Sequence, residues 1–275
     1  MTPLTDRPQP AELLALAVEV AADGAALAQA KRQEFIISVR TKSTDTDVVT
    51  AADEAVERCV IDAIRARRPA DAVLSEEAGA SRPAGHPAGQ VRWILDPIDG
   101  TVNYLYGIPY YAVSLAAEVD GEVVAGVVHN PATGDVWTAV RGDGAYWGDR
   151  RITCSSVSEL GQTMVATGFG YDSSRRAHQA KVLGGLAHKI RDIRRFGACA
   201  LDLCAAASGV VDAYYEKGLN EWDRAAGQLI ASEAGLVVSG LHGAPASDAF
   251  VLVAPPGIHA QLRAVLDELD ADGGP

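Results

Sequence analysis

The chain has 275 residues, 48% of them hydrophobic, and a formal net charge of −12 from 24 basic and 36 acidic side chains. A chain of this length can bury a large core organised as one or two subdomains. The acidic balance, with no basic stripe that gathers the Lys and Arg residues, argues against a nucleic-acid-binding surface.

The first predicted elements are two helices. Residues 11–30 are rich in Ala and Leu at helical spacing, and residues 50–68 show the pattern of a second, amphipathic helix that begins near Thr50. Residues 78–90 contain Gly and Pro without periodicity, and we expect an exposed loop there.

Strands dominate residues 110–153. The alternating run at 111–115 is predicted to pair with residues 123–128 in a hairpin that turns at Asp120-Gly121. Further helices are predicted over 175–190, 199–208, 221–234 and 257–269, and strands over 210–215 and 249–253. This mixture limits the fold class to α/β or α+β.

The cysteines and histidines carry no metal-binding or redox pattern. The six histidines are scattered, and no CxxC spacing occurs among Cys59, Cys154, Cys199 and Cys204. We therefore expect free thiols in a reducing compartment and no zinc site.

No run approaches the ~18 apolar residues of a membrane span. The N-terminus lacks the basic start and apolar core of a secretory signal, so the expected location is the cytoplasm, without a membrane partner.

The segment from Trp93 to Asn103 carries the strongest chemical signal. A buried strand is predicted to end at Asp96, because Pro97 cannot donate a hydrogen bond to a β-ladder. A tight turn would then direct Asp96 and Asp99 toward one cation. Gly100-Thr101 resembles a helix start whose backbone N–H groups can bind an anion. The structural alternative is an ordinary Asp-Pro turn followed by a helix cap.

Two other segments favour a metal site over that alternative. Residues 72–77 form a short apolar run that ends in Glu76 and Glu77, and residues 220–227 open a helix with Asp223 in its first turn. Carboxylate oxygens are the ligands that Mg²⁺ prefers, together with water and substrate phosphate oxygens. The three segments therefore predict a divalent-cation site next to a phosphate-binding turn.

The residues Asp96–Thr101 and Trp222–Gly227 together resemble the signature pair of the inositol monophosphatase family of Mg²⁺-dependent, lithium-sensitive phosphatases. Further segments that resemble family motifs are Lys42-Ser43, Asp47–Asp53, Ser75–Glu77, Gly142–Tyr146 and Asp212–Glu216. The resemblance extends from about residue 12 to residue 268, with Ser75 and Leu236 as small departures from the usual glycines.

The resemblance implies an α+β fold, a layered α-β-α-β-α sandwich of the inositol monophosphatase and fructose bisphosphatase type. It also implies an N-terminal subdomain over 1–150 with most metal ligands and a C-terminal subdomain over 151–275 with Asp223 and the substrate-recognition residues. A homodimer is expected, both from the family and because two-fold oligomers are common.

The same resemblance implies a role for each site residue. Two or three Mg²⁺ ions would be held by Glu76, Asp96, the main-chain carbonyl of Ile98, Asp99 and Asp223. Thr101, supported by Asp53, would orient the attacking water, with Glu76 completing the catalytic set. The N–H groups of Gly100 and Thr101 would bind phosphate. A polyol substrate would contact Asp99, Cys199 and Glu216.

Hydrolysis of inositol 1-phosphate is the expected reaction, but related phosphatases share these metal motifs. Histidinol phosphate is the first alternative, since Glu216 could bind its amine. Fructose 1,6-bisphosphate would need cations for its second phosphate, which Arg191, Arg194 and Arg195 could supply. NADP and 3′-phosphoadenosine 5′-phosphate are further alternatives. A non-catalytic regulatory binding protein is disfavoured, because buried like charges are costly without a cation.

Overall fold

The structure is a computed structural model that describes residues 8–33, 39–41, 48–81 and 89–275. The motif residues Lys42, Ser43 and Asp47 lie outside the described residues.

The helices are α1 (Pro10–Gln33), α2 (Ala51–Arg67), α3 (Thr101–Tyr106), α4 (Ser173–Leu186), α5 (Cys199–Ala207), α6 (Glu221–Glu233) and α7 (Pro256–Glu268). The N-terminal strands are β1 (Val39–Thr41), β2 (Val48–Thr50), β3 (Ala72–Ser75), β4 (Gly79–Ser81), β5 (Val91–Asp99), β6 (Ala112–Val119), β7 (Glu122–His129), β8 (Val136–Val140), β9 (Gly144–Trp147) and β10 (Arg150–Ile152). The C-terminal strands are β11 (Met164–Thr167), β12 (Asp192–Arg194), β13 (Ala213–Glu216), β14 (Val237–Ser239) and β15 (Val251–Ala254).

The larger described sheet has eight strands in the order β10-β9-β8-β7-β6-β5-β3-β4. All neighbours are antiparallel except β3 and β5, which run parallel. The predicted hairpin forms between β6 and β7, where Asp120 and Gly121 both have positive φ angles of 55° and 85°. Two successive positive φ angles fit the right-handed twist of the strands, and Asp-Gly adopts them readily.

The second described sheet has five strands in the order β12-β11-β13-β15-β14. β11 runs parallel to β12 and β13, whereas β15 is antiparallel to both of its neighbours. β1 and β2 form a separate antiparallel pair.

Alternating layers of helices and sheets bury the core. One face of the larger sheet packs against α1 and α2 around Trp93 and Leu95, and its other face packs against α5 and α6 around Ile94. The same two helices contact the second sheet through Leu203 and Ala231, and α4 and α7 cover the far face of that sheet. This order of layers confirms the α+β fold and the α-β-α-β-α sandwich. The proposed boundary between residues 150 and 151 stays a prediction.

Several predicted boundaries need correction. Gly79–Ser81, inside the predicted loop, pairs with β3 as strand β4. The predicted strand at 210–215 lies at Ala213–Glu216, and α4 ends at Leu186 rather than near 190. The sequence patterns did not predict β11, β12 and β14. These strands have three or four residues each, too few to show a period, and they form because neighbouring strands pair with them.

The predicted end of the central strand at Asp96 was wrong. β5 continues through Pro97 to Asp99, with Asp96 opposite Ser114 and Asp99 opposite Ala112 on β6. Three steps along β5 therefore match two steps along β6, so the strand contains a β-bulge. A bulge is one of the places where a sheet tolerates proline, because the extra residue is not paired in the ladder.

Candidate active site

A pocket of about 160 Å³ opens where β3 and β5 end, beside the first turns of α5 and α6. Its lining includes every predicted site residue except Asp53, namely Glu76, Asp96, Ile98, Asp99, Gly100, Thr101, Cys199, Glu216 and Asp223. Asp53 is buried in the first turn of α2, near enough to Asp96 for its charge to contribute to the raised pKa of that acid. The structure thus brings the three acidic segments together.

The bulge in β5 explains how two acids three residues apart can serve one pocket. Side chains alternate between the two faces of a regular strand, so a spacing of three would direct Asp96 and Asp99 to opposite sides. The extra residue cancels that alternation. The ladder partners of the two acids, Ser114 and Ala112, occupy the same face of β6, the face covered by α5 and α6.

The N-terminus of α5 holds the Asp99 carboxylate. Its Oδ1 accepts a hydrogen bond from the backbone N–H of Cys199 at 3.2 Å, and its Oδ2 accepts one from Ala200 at 2.7 Å. These N–H groups have no partner within the helix, and the helix dipole favours a negative charge at this end. Asp99 therefore links the central strand to α5.

Asp223 lies at the start of α6. Its Oδ2 accepts a hydrogen bond from the backbone N–H of Asn220 at 2.6 Å, an arrangement that fixes the first turn of the helix. Because α6 packs against the larger sheet, this turn brings Asp223 next to Asp96.

The turn that carries Glu76 is held by an acid that the sequence reading did not single out. Oε1 of Glu57, which is buried in α2, accepts hydrogen bonds from the backbone N–H groups of Glu77 at 3.2 Å and Ala78 at 3.1 Å. Glu57 is four residues after Asp53, so both lie on the same face of α2. That spacing was a visible signal for a second acid facing the site.

Burial and mutual repulsion raise the pKa values of the acids around the pocket. Burial raises the pKa of Asp96 well above its usual range, and the charges of Glu76, Asp99 and Asp223 raise it further. Burial, and to a lesser extent the charge of Asp223, also raises the pKa of Asp99 well above its usual range. For Asp223, burial and the charge of Glu76 raise the pKa to about 7. Several carboxylates thus share one region of low dielectric, where each disfavours the ionised form of the others.

These acids form an open group. Among the residues described, no group of three His, Cys, Asp or Glu side chains already has an arrangement that would hold a metal ion. The available donors are carboxylate, carbonyl and hydroxyl oxygens, the donor set that suits a hard divalent cation with several remaining water or substrate ligands. The residues present therefore fit the predicted Mg²⁺.

Glu216 lies in the same pocket, at the end of β13. Its Oε2 accepts a hydrogen bond from the hydroxyl of Tyr214 at 2.6 Å. Burial raises the pKa of Glu216, while the Tyr214 hydroxyl and the charge of Arg195 oppose that rise. The carboxylate packs so closely on Gly168 that a Cβ there would overlap it. Glu216 is thus held in one place by its strand and by that backbone.

The predicted arginine cluster divides when the chain folds. Arg195 lines the pocket, whereas Arg194 pairs with Asp192 on β12 and Arg191 is exposed. Arg175 and Lys217 supply further positive charge at the pocket wall, and the sequence reading did not identify either of them. Cys199 also lines the pocket, and burial raises the pKa of its thiol well above the usual value. A thiol whose pKa is raised in this way is a weak nucleophile at neutral pH, and contact of Cys199 with the polyol stays a prediction.

The fold and the acidic pocket agree with comparisons to known proteins. The model of the inositol monophosphatase family matches residues 9–271. The chain therefore belongs to the inositol monophosphatase family, a family of metal-dependent phosphatases, and it is a phosphoric monoester hydrolase. None of the described helices combines the length and apolar character needed to cross a bilayer.

Individual relatives agree with this assignment. Inositol-1-monophosphatase SuhB of Mycobacterium tuberculosis is 43% identical, over 95% of this chain and 96% of the relative. Nus factor SuhB of Escherichia coli K12 is 37% identical, over 81% and 84% of the two chains. The crystal structure of extragenic suppressor protein suhB from Bartonella henselae superposes with a TM-score of 0.86 at 31% identity, covering 94% of this chain and 99% of that one.

Proposed function

We propose that the protein hydrolyses inositol 1-phosphate to inositol and phosphate in a Mg²⁺-dependent reaction. The observation that carries this proposal is the convergence of Glu76, Asp96, Asp99 and Asp223 on one pocket that Glu216 also lines. The acids would hold the cations and Glu216 would bind the polyol. The M. tuberculosis relative named inositol-1-monophosphatase supports the substrate.

The proposed ligands of two or three Mg²⁺ ions are Glu76, Asp96, the Ile98 carbonyl, Asp99 and Asp223. When bound, the cations would supply positive charge to the phosphate and lower the pKa of the attacking water. Asp96, which the charges of all three other acids reach, is the proposed bridging ligand. Gly100 and Thr101 would direct their backbone N–H groups at a phosphate oxygen from the first turn of α3.

The Thr101 hydroxyl is proposed to orient the attacking water, with Asp53 supporting it. Its Oγ1 donates a hydrogen bond to the carbonyl oxygen of Ile98 at 3.1 Å. A hydroxyl that donates in this direction keeps its lone pairs available to accept a hydrogen bond from water. The residue is buried on the pocket wall, so its side chain has little freedom to turn away.

Thr101→Ala should lower kcat by about 100-fold or more, because the water loses the group that orients it. KM should stay within about threefold of the wild-type value, since the backbone N–H groups remain. Steady-state kinetics at saturating Mg²⁺ measures both constants. Thr101→Ser is the matched control and should retain most of the activity, because it keeps the hydroxyl. Equal losses in the Ala and Ser variants would contradict the proposed role.

Glu216→Gln should raise KM for inositol 1-phosphate by about 10-fold or more, because a hydrogen bond to a charged acceptor is replaced by a weaker one. For p-nitrophenyl phosphate, which has no polyol hydroxyls, KM should change by less than about twofold. The comparison of the two substrates separates recognition from general damage. Equal effects on both would show that Glu216 does not recognise the polyol.

The proposed substrate is tested by measuring phosphate release with Mg²⁺ from inositol 1-phosphate, histidinol phosphate, fructose 1,6-bisphosphate and NADP. The highest kcat/KM is expected for inositol 1-phosphate. A clear preference for another ester would keep the metal mechanism and reject the polyol assignment. Fructose 1,6-bisphosphate is a less favoured substrate, because two of the three arginines proposed to bind its second phosphate are placed elsewhere. Arg191 is exposed and Arg194 pairs with Asp192, although Arg195 still lines the pocket.

The assembly and location are also proposals. We propose a cytoplasmic homodimer, which light scattering of the purified protein would test against a monomer. A regulatory role beside catalysis is a second proposal, supported by the E. coli relative that is named a Nus factor. A protein that binds a partner but releases no phosphate from any tested ester would favour that role alone.

A further inference from the structure

A buried tyrosine–aspartate contact lies directly behind the pocket. The hydroxyl of Tyr110 donates a hydrogen bond to Oδ1 of Asp202 at 2.9 Å. Asp202 is only 1% exposed and lies in the first turn of α5, while Tyr110 precedes strand β6. The Tyr110 ring also packs on Phe196, with the two ring centroids 5.0 Å apart. The contact therefore joins the chain before β6 to the segment that leads into α5.

The same two segments enclose the turn at Gly100. An added Cβ at Gly100 would lie 2.9 Å from Cβ of Ala198 and 3.1 Å from the carbonyl oxygen of Tyr110. The side-chain amide of Asn103, in α3, donates to the carbonyl oxygens of Tyr110 at 2.8 Å and Phe196 at 2.9 Å. The turn thus has no free space on this side, and its position depends on where both segments lie.

The first turn of α5 also sets the position of Asp99. Its N–H groups at Cys199 and Ala200 bind the Asp99 carboxylate, three and two residues before Asp202. A shift of this turn relative to β5 would therefore move an acid of the pocket and the adjoining turn at Gly100 together. Tyr110 and Asp202 connect this turn of α5 to the segment before β6, which also packs against the Gly100 turn.

The contact is poorly explained as a source of stability. Among the described residues, Oδ2 of Asp202 has no hydrogen-bond partner. A buried carboxylate that receives one neutral hydroxyl is costly compared with an apolar side chain of similar volume. A buried polar pair of this kind can instead select one packing arrangement among several.

We propose that Tyr110 and Asp202 are positioning residues, which fix the first turn of α5 against the Gly100 turn so that Asp99 and the turn N–H groups keep their catalytic placement. The proposal rests on the proposed active site, although it does not depend on which phosphate ester is the substrate. Neither residue contacts the pocket directly, so both act through Asp99 and Gly100.

The test compares Tyr110→Phe, Asp202→Ala and Asp202→Asn with the wild-type full-length protein, using p-nitrophenyl phosphate and inositol 1-phosphate. Tyr110→Phe and Asp202→Ala should each lower kcat about 10-fold or more and raise the Mg²⁺ concentration for half-maximal activity. Asp202→Asn should recover much of the loss, because its amide oxygen can accept from the Tyr110 hydroxyl. The kcat of the double variant Tyr110→Phe with Asp202→Ala should be no lower than that of the less active single variant.

Tyr111→Phe is the matched control, since Tyr111 packs against Tyr104 in the opposite core and its change should leave kcat unaltered. If Asp202→Ala does not fold, Tyr110→Phe alone still tests the proposal, because it removes a single oxygen. A lower Tm with unchanged kcat and Mg²⁺ dependence in Tyr110→Phe would overturn the positioning role. If the wild type hydrolyses p-nitrophenyl phosphate but not inositol 1-phosphate, only the proposed substrate is rejected.

Discussion

Asp96→Asn is expected to lower kcat by at least about 1000-fold, because charge stabilisation at the phosphate is the main contribution of this type of site. The acid is buried at the centre of the group, where the charges of Glu76, Asp99 and Asp223 all reach it. An amide has the same shape but no charge, and it would bind a cation far more weakly. The proposed bridging role therefore makes this substitution the most damaging single change in the pocket.

The fold should survive the Asp96→Asn change. Oδ1 of Asp96 accepts a hydrogen bond from the N–H of Ile98 at 3.1 Å, and the amide oxygen of Asn can accept the same bond. At a pH high enough to ionise Asp96 in the wild type, the substitution also removes a buried negative charge and its repulsion with the other acids, so Tm without metal should be equal to or higher than that of the wild type.

Kinetics and thermal denaturation of Asp96→Asn are measured beside Asp120→Asn. Asp120 is an exposed residue in the turn between β6 and β7, where Asn also tolerates the positive φ. This control should keep wild-type activity. Near-full activity of Asp96→Asn would contradict the metal assignment, and a large fall in its metal-free Tm would contradict the view that repulsion dominates there.

The second large effect is a stabilisation by Mg²⁺ that grows with pH. The pKa of Asp223 rises from 3.8 to about 7 in the folded protein, and burial raises the pKa values of Asp96 and Asp99 in the same direction. The folded state therefore binds protons more strongly than the unfolded state. The stability of the metal-free protein should fall as pH rises from about 4 toward 7 and stay low above that range.

Bound Mg²⁺ should reverse this loss, since it interacts with the ionised carboxylates. At about 100 times Kd, one site contributes about 2.7 kcal/mol, which corresponds to an increase in Tm of about 5 °C or more for a protein of this size. Thermal denaturation with EDTA or with Mg²⁺, at about pH 6 and about pH 8, measures the effect. The shift should be larger at the higher pH and much smaller in Asp96→Asn. The same shift at both values would argue that the acids are ionised without metal.

The periodic and turn signals of the long helices and the β6–β7 hairpin limited the fold class to α/β or α+β, and the layered sandwich was implied by the resemblance to the family. The sequence reading failed at β5, where Pro97 was interpreted as the end of the strand although the chain continues through a bulge to Asp99. A bulge depends on how the neighbouring strand pairs, and single-strand patterns contain no such information. The short strands β11, β12 and β14 were not predicted for the same reason.

The residues of the candidate site were likewise predicted only in part. The predicted acids could be recognised because each follows a short apolar run or opens a helix. Glu57, Asn103 and Asp202 were not singled out, because each binds backbone or a tyrosine hydroxyl from a segment distant in sequence. Such groups become identifiable only when the packed elements show which backbone atoms need a partner. Glu57 is the exception, since its spacing from Asp53 was visible beforehand.

The bulge in β5 also indicates how this site could be lost or redesigned. Asp96 and Asp99 face the same side of the sheet because of the number of residues between them. A spacing of three would place them on opposite sides of a regular strand, and the one extra residue of the bulge returns them to the same side. Insertion of one further residue between the two acids, with the single bulge kept, would leave both carboxylates in the chain but assign them to opposite surfaces of the sheet. This stretch should therefore tolerate exchanges of side chain more readily than added length, so that a frame-preserving insertion of one codon would be more harmful than most missense changes at the same place.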